Sequence, residues 1–199
     1  MSKGNTKTLY WPERRCWTVE EFDRAGREGI FRYDERLELI EGEVFTKVSP
    51  QESPHSTGIR LVEVALNHAF PRGYDVRVQM PLVFGTRNKP EPDVAVVTGT
   101  IRDYAHRHPT TAVLVVEVSD STLRIDRTTK AALYARAGIE EYWILNLVDR
   151  VLEVYREPAQ SSGHPLGYAY RSLVRYSEAD QVSPLGAPQT ILAVADLLP

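Results

Sequence analysis

The sequence predicts an α/β fold: a mixed central β-sheet flanked by few helices, with an added antiparallel hairpin and short C-terminal strands. Three features carry the prediction. Residues 112–147 read as strand, helix, strand, and a crossover of that length joins parallel neighbours. Extended segments before it are antiparallel, so the sheet is mixed. The stretch RLELIEGEVFTKV, 36–48, reads as two extended segments around Gly42, a hairpin.

The elements follow in order. Residues 1–17 are expected to form an N-terminal arm and 18–199 a single domain, a length that allows one sizeable core. Thr18 and Glu21 have capping-box spacing and open a short helix near 18–27. After the hairpin, Ser53-Pro54 is an N-cap and first-turn pair. It starts a helix to about Phe70, with Ile59, Val62, Leu66 and Ala69 at helical spacing, stopped by Pro71-Arg72-Gly73. Strands are expected at 74–84 and at 93–98, the second after Pro90-Glu91-Pro92, which cannot be helix interior. A strand at 112–118 follows. Asp126 is read as the cap of a helix over 127–137, ended by Gly138. Strands 141–147 and 151–157 meet at a turn around Val148-Asp149. Residues 158–167 read as a Pro/Gly/Ser loop, and the tail as two or three short strands.

Composition excludes several classes. No apolar run approaches the ~20 residues of a membrane span. The start, MSKGNTKTLY, lacks the apolar core of a secretory signal, and the single cysteine, Cys16, allows no internal disulfide. The expectation is a cytoplasmic protein without a membrane partner. The formal net charge of −3 is compatible with nucleic acid only through a locally basic groove. The five histidines and the cysteine show no zinc spacing. There is no phosphate-binding glycine loop and no nucleophile elbow.

What remains is a set of carboxylates. Glu38, Asp93 and Glu117 sit in or beside strand-like segments. Asp93 opens one strand and Glu117 ends the neighbouring apolar strand, VLVVEV, where an unpaired charge is costly. Two such carboxylates brought together repel unless a cation lies between them, and hard oxygen donors suit Mg²⁺ or Mn²⁺. Lys130, Leu133, Tyr134 and Ala137 fall on one helix face, which should pack on the sheet. Lys130 in a first helical turn opposes the helix dipole, so it calls for an anionic neighbour, Asp126 or Glu117. Each carboxylate taken alone reads first as a salt-bridged strand end, and only the combination points to a site. His55 is within reach of such a site but reads as a capping or packing histidine; Gln79 reads equally as a hydrogen-bonding group near the site and as a ladder-edge amide. His106 and His108 read as a solvated pair, and Tyr142 and Trp143 as core. Arg124, Arg127 and Lys130 form a local positive cluster, for phosphates or as a solvated helix start.

Glu91-Pro92-Asp93 followed by Val116-Glu117-Val118-Ser119 resembles the PD-(D/E)XK nuclease signature. The segments LELIEGEV (37–44), PEPDVAVV (90–97), LVVEVSDSTLRIDRTTKAALYARAGIEEYWILNL (114–147) and DLLP (196–199) are similar to a bacterial family of restriction-endonuclease-like proteins of the uma type. The likeness covers most of the chain from about 18 to 199. Position 119 is serine where the signature has lysine, and the family lysine falls on the helix, here Lys130. The resemblance implies a restriction-endonuclease-like core and a Mg²⁺- or Mn²⁺-dependent endonuclease acting on nucleic acid, expected to be DNA. It implies Asp93, Glu117 and Glu38 as metal ligands, with the Val118 carbonyl as a further contact, and Lys130 as the displaced lysine. A homodimer would serve to cut both strands. The competing expectation is a nuclease-fold module that binds DNA or protein without catalysis. A two-carboxylate glycosidase is disfavoured by a lysine in the site.

Overall fold

Alternating apolar side chains give β5 (Leu114–Ser119) two buried faces, and the whole molecule is organised around that strand. The structure, a computed structural model, describes residues 14–47, 53–164 and 166–199. The elements before β5 are α1 (Val19–Arg27), β1 (Leu37–Ile40), β2 (Glu43–Thr46), α2 (Ser53–Ala69), β3 (Tyr74–Val78) and β4 (Val94–Thr98). After β5 come α3 (Leu123–Ile125), a π-helical segment (Asp126–Lys130), α4 (Ala131–Arg136), β6 (Glu141–Asn146), β7 (Val151–Gln160) and β8 (Tyr168–Tyr176). Two short strands, β9 (Gln181–Val182) and β10 (Leu192–Ala193), pair near the C-terminus.

The main sheet runs β3-β4-β5-β6-β7-β8. Only β5 and β6 are parallel, joined through the helical segments, and the other pairs are antiparallel. On one face α2 lays Ile59, Val62 and Leu66 against Val116, Val118, Trp143 and Leu145. On the other, α4 lays Leu133 and Tyr134 against Val115, Tyr142 and Ile144. Since strand side chains alternate, Glu117 shares the α4 face with Val115, and Asp93 shares it with Ala95.

The α1 capping box forms: the Thr18 hydroxyl accepts from the Glu21 N–H at 3.2 Å, and the Glu21 carboxylate accepts from the Thr18 N–H at 3.0 Å. Of the expected arm, residues 1–13 lie outside the described residues. Its end packs down, with the Trp17 N–H donating to the Gly42 carbonyl at 2.9 Å. Glu41 and Gly42 carry φ of 54° and 76°, the left-handed pair of a tight hairpin turn. A Cβ on Gly42 would lie 2.5 Å from Cys16 Cβ and 2.9 Å from the Trp17 carbonyl. Gly42→Ala should therefore lose about 1–3 kcal/mol of stability, read from a urea melt.

Four expectations are corrected. The strand expected over 74–84 stops at Val78, because Gln79 takes φ 50° and Pro81 follows. Asp126 is not an N-cap: helical structure begins at Leu123, and Asp126 lies inside it, opening the π-helical segment. Lys130 consequently ends that segment rather than sitting in a first turn. The stretch 158–160 is strand, not loop. Pro158 is tolerated in β7 because β6 ends opposite Arg156, so no β6 donor is missed there. Ser53, expected as the N-cap of α2, is itself the first described residue of that helix, and the residue before it lies outside the described residues.

Candidate active site

The carboxyl end of β5 is where the polar residues converge. The β4–β5 register pairs Val94 with Val116, which sets Asp93 beside Glu117. The Asp93 carboxylate accepts the Val118 N–H at 2.9 Å, and the Asp93 N–H points at Glu117 Oε2 at 3.4 Å. The hairpin docks on the loop before β4 through a two-way backbone bridge between Leu39 and Lys89. That docking brings Glu38 in, where its carboxylate accepts the Glu91 N–H at 2.7 Å.

The Lys130 ammonium sits between the acids. Nζ donates to Glu117 Oε1 at 3.0 Å and lies 3.5 Å from Glu38 Oε2 and 3.9 Å from Asp126 Oδ1. The Tyr134 hydroxyl, one helical turn on, donates to the same Glu117 oxygen at 2.7 Å. Asp126 is held by the Thr122 hydroxyl at 2.6 Å. Glu38, Asp93, Glu117, Asp126 and Lys130 line a cavity of about 250 Å³ together with Lys47, His55, Val118 and Thr129, with Tyr134 behind Glu117.

Sequence reasoning passed over Lys47 and gave Tyr134 another role. Lys47 Nζ donates to Asp93 Oδ1 and to the Glu91 carbonyl, both at 2.9 Å. The signal was present: Glu38 opposes Phe45 in the hairpin, and Lys47, two residues on, falls on the same face. The sequence reads Tyr134 as core packing, and Asp126 as a cap and as one of two candidate anionic neighbours of Lys130, the place it takes at 3.9 Å. Gln79 meets Asp93 through the backbone, its N–H donating to the Asp93 carbonyl at 3.0 Å. Arg127 turns away to Glu153, Arg124 is exposed, and Tyr142 and Trp143 are fully buried. His106 is exposed, but His108 is half-buried and its Nδ1 has no hydrogen-bond partner, so the two are not a solvated pair.

The electrostatics of this cavity are unbalanced. Glu38, Asp93, Glu117 and Asp126 are all at most 4% exposed, and Lys47 and Lys130 are the two cations bonded among them. Among the described residues, four carboxylates share two ammonium groups, a formal excess of two negative charges when all four are ionised. Burial pushes Glu117 up to about 8; Lys130 pulls it back, while Asp93 and Asp126 add to the rise. Burial raises Asp126 as well. Burial acts upward on Asp93 too, but Lys47, Lys130 and the Val118 N–H outweigh it and hold the group below its ordinary value. Lys130 is opposed by burial yet held well above the ordinary lysine value by Glu117, Glu38, Asp126 and Asp93.

A divalent cation is the species this donor set fits. No three Asp, Glu, His or Cys side chains among the described residues form a ready-made cage. Mg²⁺ and Mn²⁺ need only one or two carboxylates, because they keep several waters. The formal excess of two negative charges equals the charge of one such ion.

A stability consequence follows from Glu117. Its folded value of about 8 exceeds the unfolded 4.5. Between those limits the folded state binds the extra proton, so stability falls as pH rises from about 5 to about 8. With divalent metal chelated, denaturant melts at pH 5.5 and 8.5 should differ by a few kcal/mol on this account. Glu117→Gln should remove most of the difference.

The fold is of the restriction-endonuclease-like class. The family model described as "Putative restriction endonuclease" (Uma2) matches residues 19–195, and the chain belongs to that family. Among solved structures, one described as a "putative nuclease belonging to DUF820" from Anabaena variabilis superposes with a TM-score of 0.67 at 18% identity. That alignment covers 90% of this chain and 96% of the other, which makes the fold the same. The type IIG restriction endonuclease BpuSI aligns with a TM-score of 0.34 at 20% identity, over 55% of this chain and 12% of its own. No curated protein matches the chain.

Proposed function

We propose that this protein is a metal-dependent endonuclease that hydrolyses phosphodiester bonds in DNA. The observation that carries the reading is the convergence of Glu38, Asp93, Glu117 and Asp126 on Lys130 and Lys47 in one cavity at the end of β5, more carboxylates than the two ammonium groups balance. Asp93 and Glu117 would hold the ion, with Glu38 as an additional ligand or as the group that positions water. Bound there, a divalent ion polarises the phosphate and lowers the pKa of a coordinated water.

The chain's own groups supply the rest. Lys130 steers the attacking water and offsets charge that develops on the phosphoryl oxygens. Tyr134 and Glu38 fix the orientation of the lysine–Glu117 pair. Lys47, at the cavity wall, presents a second ammonium to a phosphate oxygen once Asp93 is otherwise engaged. Cleavage of both strands would use two copies of the chain.

The test is supercoiled plasmid incubated with Mg²⁺ or Mn²⁺. Nicked and linear products that vanish with chelator are the expected result. Cleavage undiminished in chelator would remove the metal from the reaction. DNA binding with no cleavage under any divalent ion would instead favour a non-catalytic module.

A further inference from the structure

His55 is a buried imidazole with one nitrogen unaccounted for. The residue is 5% exposed, and its Nε2 has no hydrogen-bond partner among the described residues. Buried polar nitrogens are nearly always satisfied, so an orphan aimed into a cavity needs a reason. Nε2 lies 3.9 Å from Asp93 Oδ2, too far for a hydrogen bond, and His55 lines the same cavity as Glu117 and Lys130.

The helix is held so that this placement is firm. His55 and Gly58 are three residues apart and share the buried face of α2. A Cβ on Gly58 would sit 3.2 Å from Val118 Cγ1 and 3.4 Å from Leu145 Cδ2. The absent side chain lets the first turn of α2 lie directly on β5, next to Asp93.

We infer that His55 Nε2 is a nitrogen ligand of the divalent ion held by Asp93 and Glu117, and that the site selects Mn²⁺-type transition ions over Mg²⁺. This rests on the metal-dependent reading above. Two neighbouring donors on one ion, each about 2.1 Å from it, stand about 3.0 Å apart at a right angle and about 3.4 Å at a tetrahedral one, so an ion between them would draw the observed 3.9 Å in by less than about 1 Å. Mg²⁺ is served by oxygen donors, whereas imidazole nitrogen favours transition ions.

The probe is Mn²⁺ itself, followed by pulsed electron paramagnetic resonance on the whole chain. Wild type should show modulation from a directly bound ¹⁴N, replaced by ¹⁵N lines when the protein carries ¹⁵N-histidine. His55→Gln should abolish the nitrogen signal and weaken Mn²⁺ binding by about tenfold, with Mg²⁺ affinity changed by less than about twofold. The labelling arm needs no variant and so is independent of any folding defect. Bound Mn²⁺ without nitrogen modulation, or modulation that survives in His55→Gln, overturns the inference and leaves the carboxylate site standing. Failure of wild type to bind Mn²⁺ overturns both.

Discussion

Asp93→Asn and Glu117→Gln should each lower metal-dependent cleavage by about a thousandfold or more. Each swap keeps the side chain's size and removes one anionic donor. If the ion and its bound water supply about 4 kcal/mol to the transition state, losing the ion costs about three powers of ten. The accompanying stability change separates a catalytic role from a structural one. Glu117 is one of four buried carboxylates served by two lysines. Replacing it with a neutral amide relieves excess charge, so with metal chelated Glu117→Gln should be no less stable than wild type above pH 8. A variant that is inactive yet equally or more stable is the signature of a group kept for chemistry. Initial rates on plasmid and denaturant melts, from the same preparation, check both halves.

Lys130→Met should move stability the other way. Its ammonium is 3.0 Å from Glu117, 3.5 Å from Glu38 and 3.9 Å from Asp126. Methionine keeps the aliphatic stem but leaves those acids without their shared cation. Removing one partner from a buried ionic cluster costs about 3–5 kcal/mol. At about 2–4 °C per kcal/mol for a domain of this size, the melting temperature should fall by about 6–20 °C. Cleavage should fall by about 10²–10³-fold as well, since a preorganised charge stabiliser is lost. Combining Lys130→Met with Glu117→Gln should recover part of the stability but none of the activity. Calorimetry of the two single variants and the double variant gives the coupling directly.

The parts of this account that were legible in the sequence are those set by local periodicity. Short apolar runs bounded by turn and proline signals marked β4 through β7 as strands, and the strand–helix–strand length gave the parallel β5–β6 pair. Helical spacing put Lys130 on the face that packs against the sheet, and the structure sets it 3.0 Å from Glu117. What was not legible depends on contacts distant in sequence. Lys47 reaches Asp93 only because Leu39 bridges Lys89, fifty residues away, and fixes where the hairpin docks. Asp126 has the chemistry of a cap, but the helical backbone begins earlier, at Leu123, and turns Asp126 inward as a π-helical residue. Such a widened turn changes which side chains share a face, and no composition signal marks it. His55 was visible as a histidine in a first helical turn. Its orphaned Nε2 became apparent only once α2 was seen lying on β5 through Gly58.

The central claim is that Asp93 and Glu117 hold one divalent ion. Anomalous diffraction from crystals grown with Mn²⁺ tests it most directly. The account predicts a single strong peak in the cavity at the end of β5, with an oxygen of each carboxylate about 2.2 Å from it. A cavity without a peak, with Mn²⁺ found only on surface carboxylates, would contradict it.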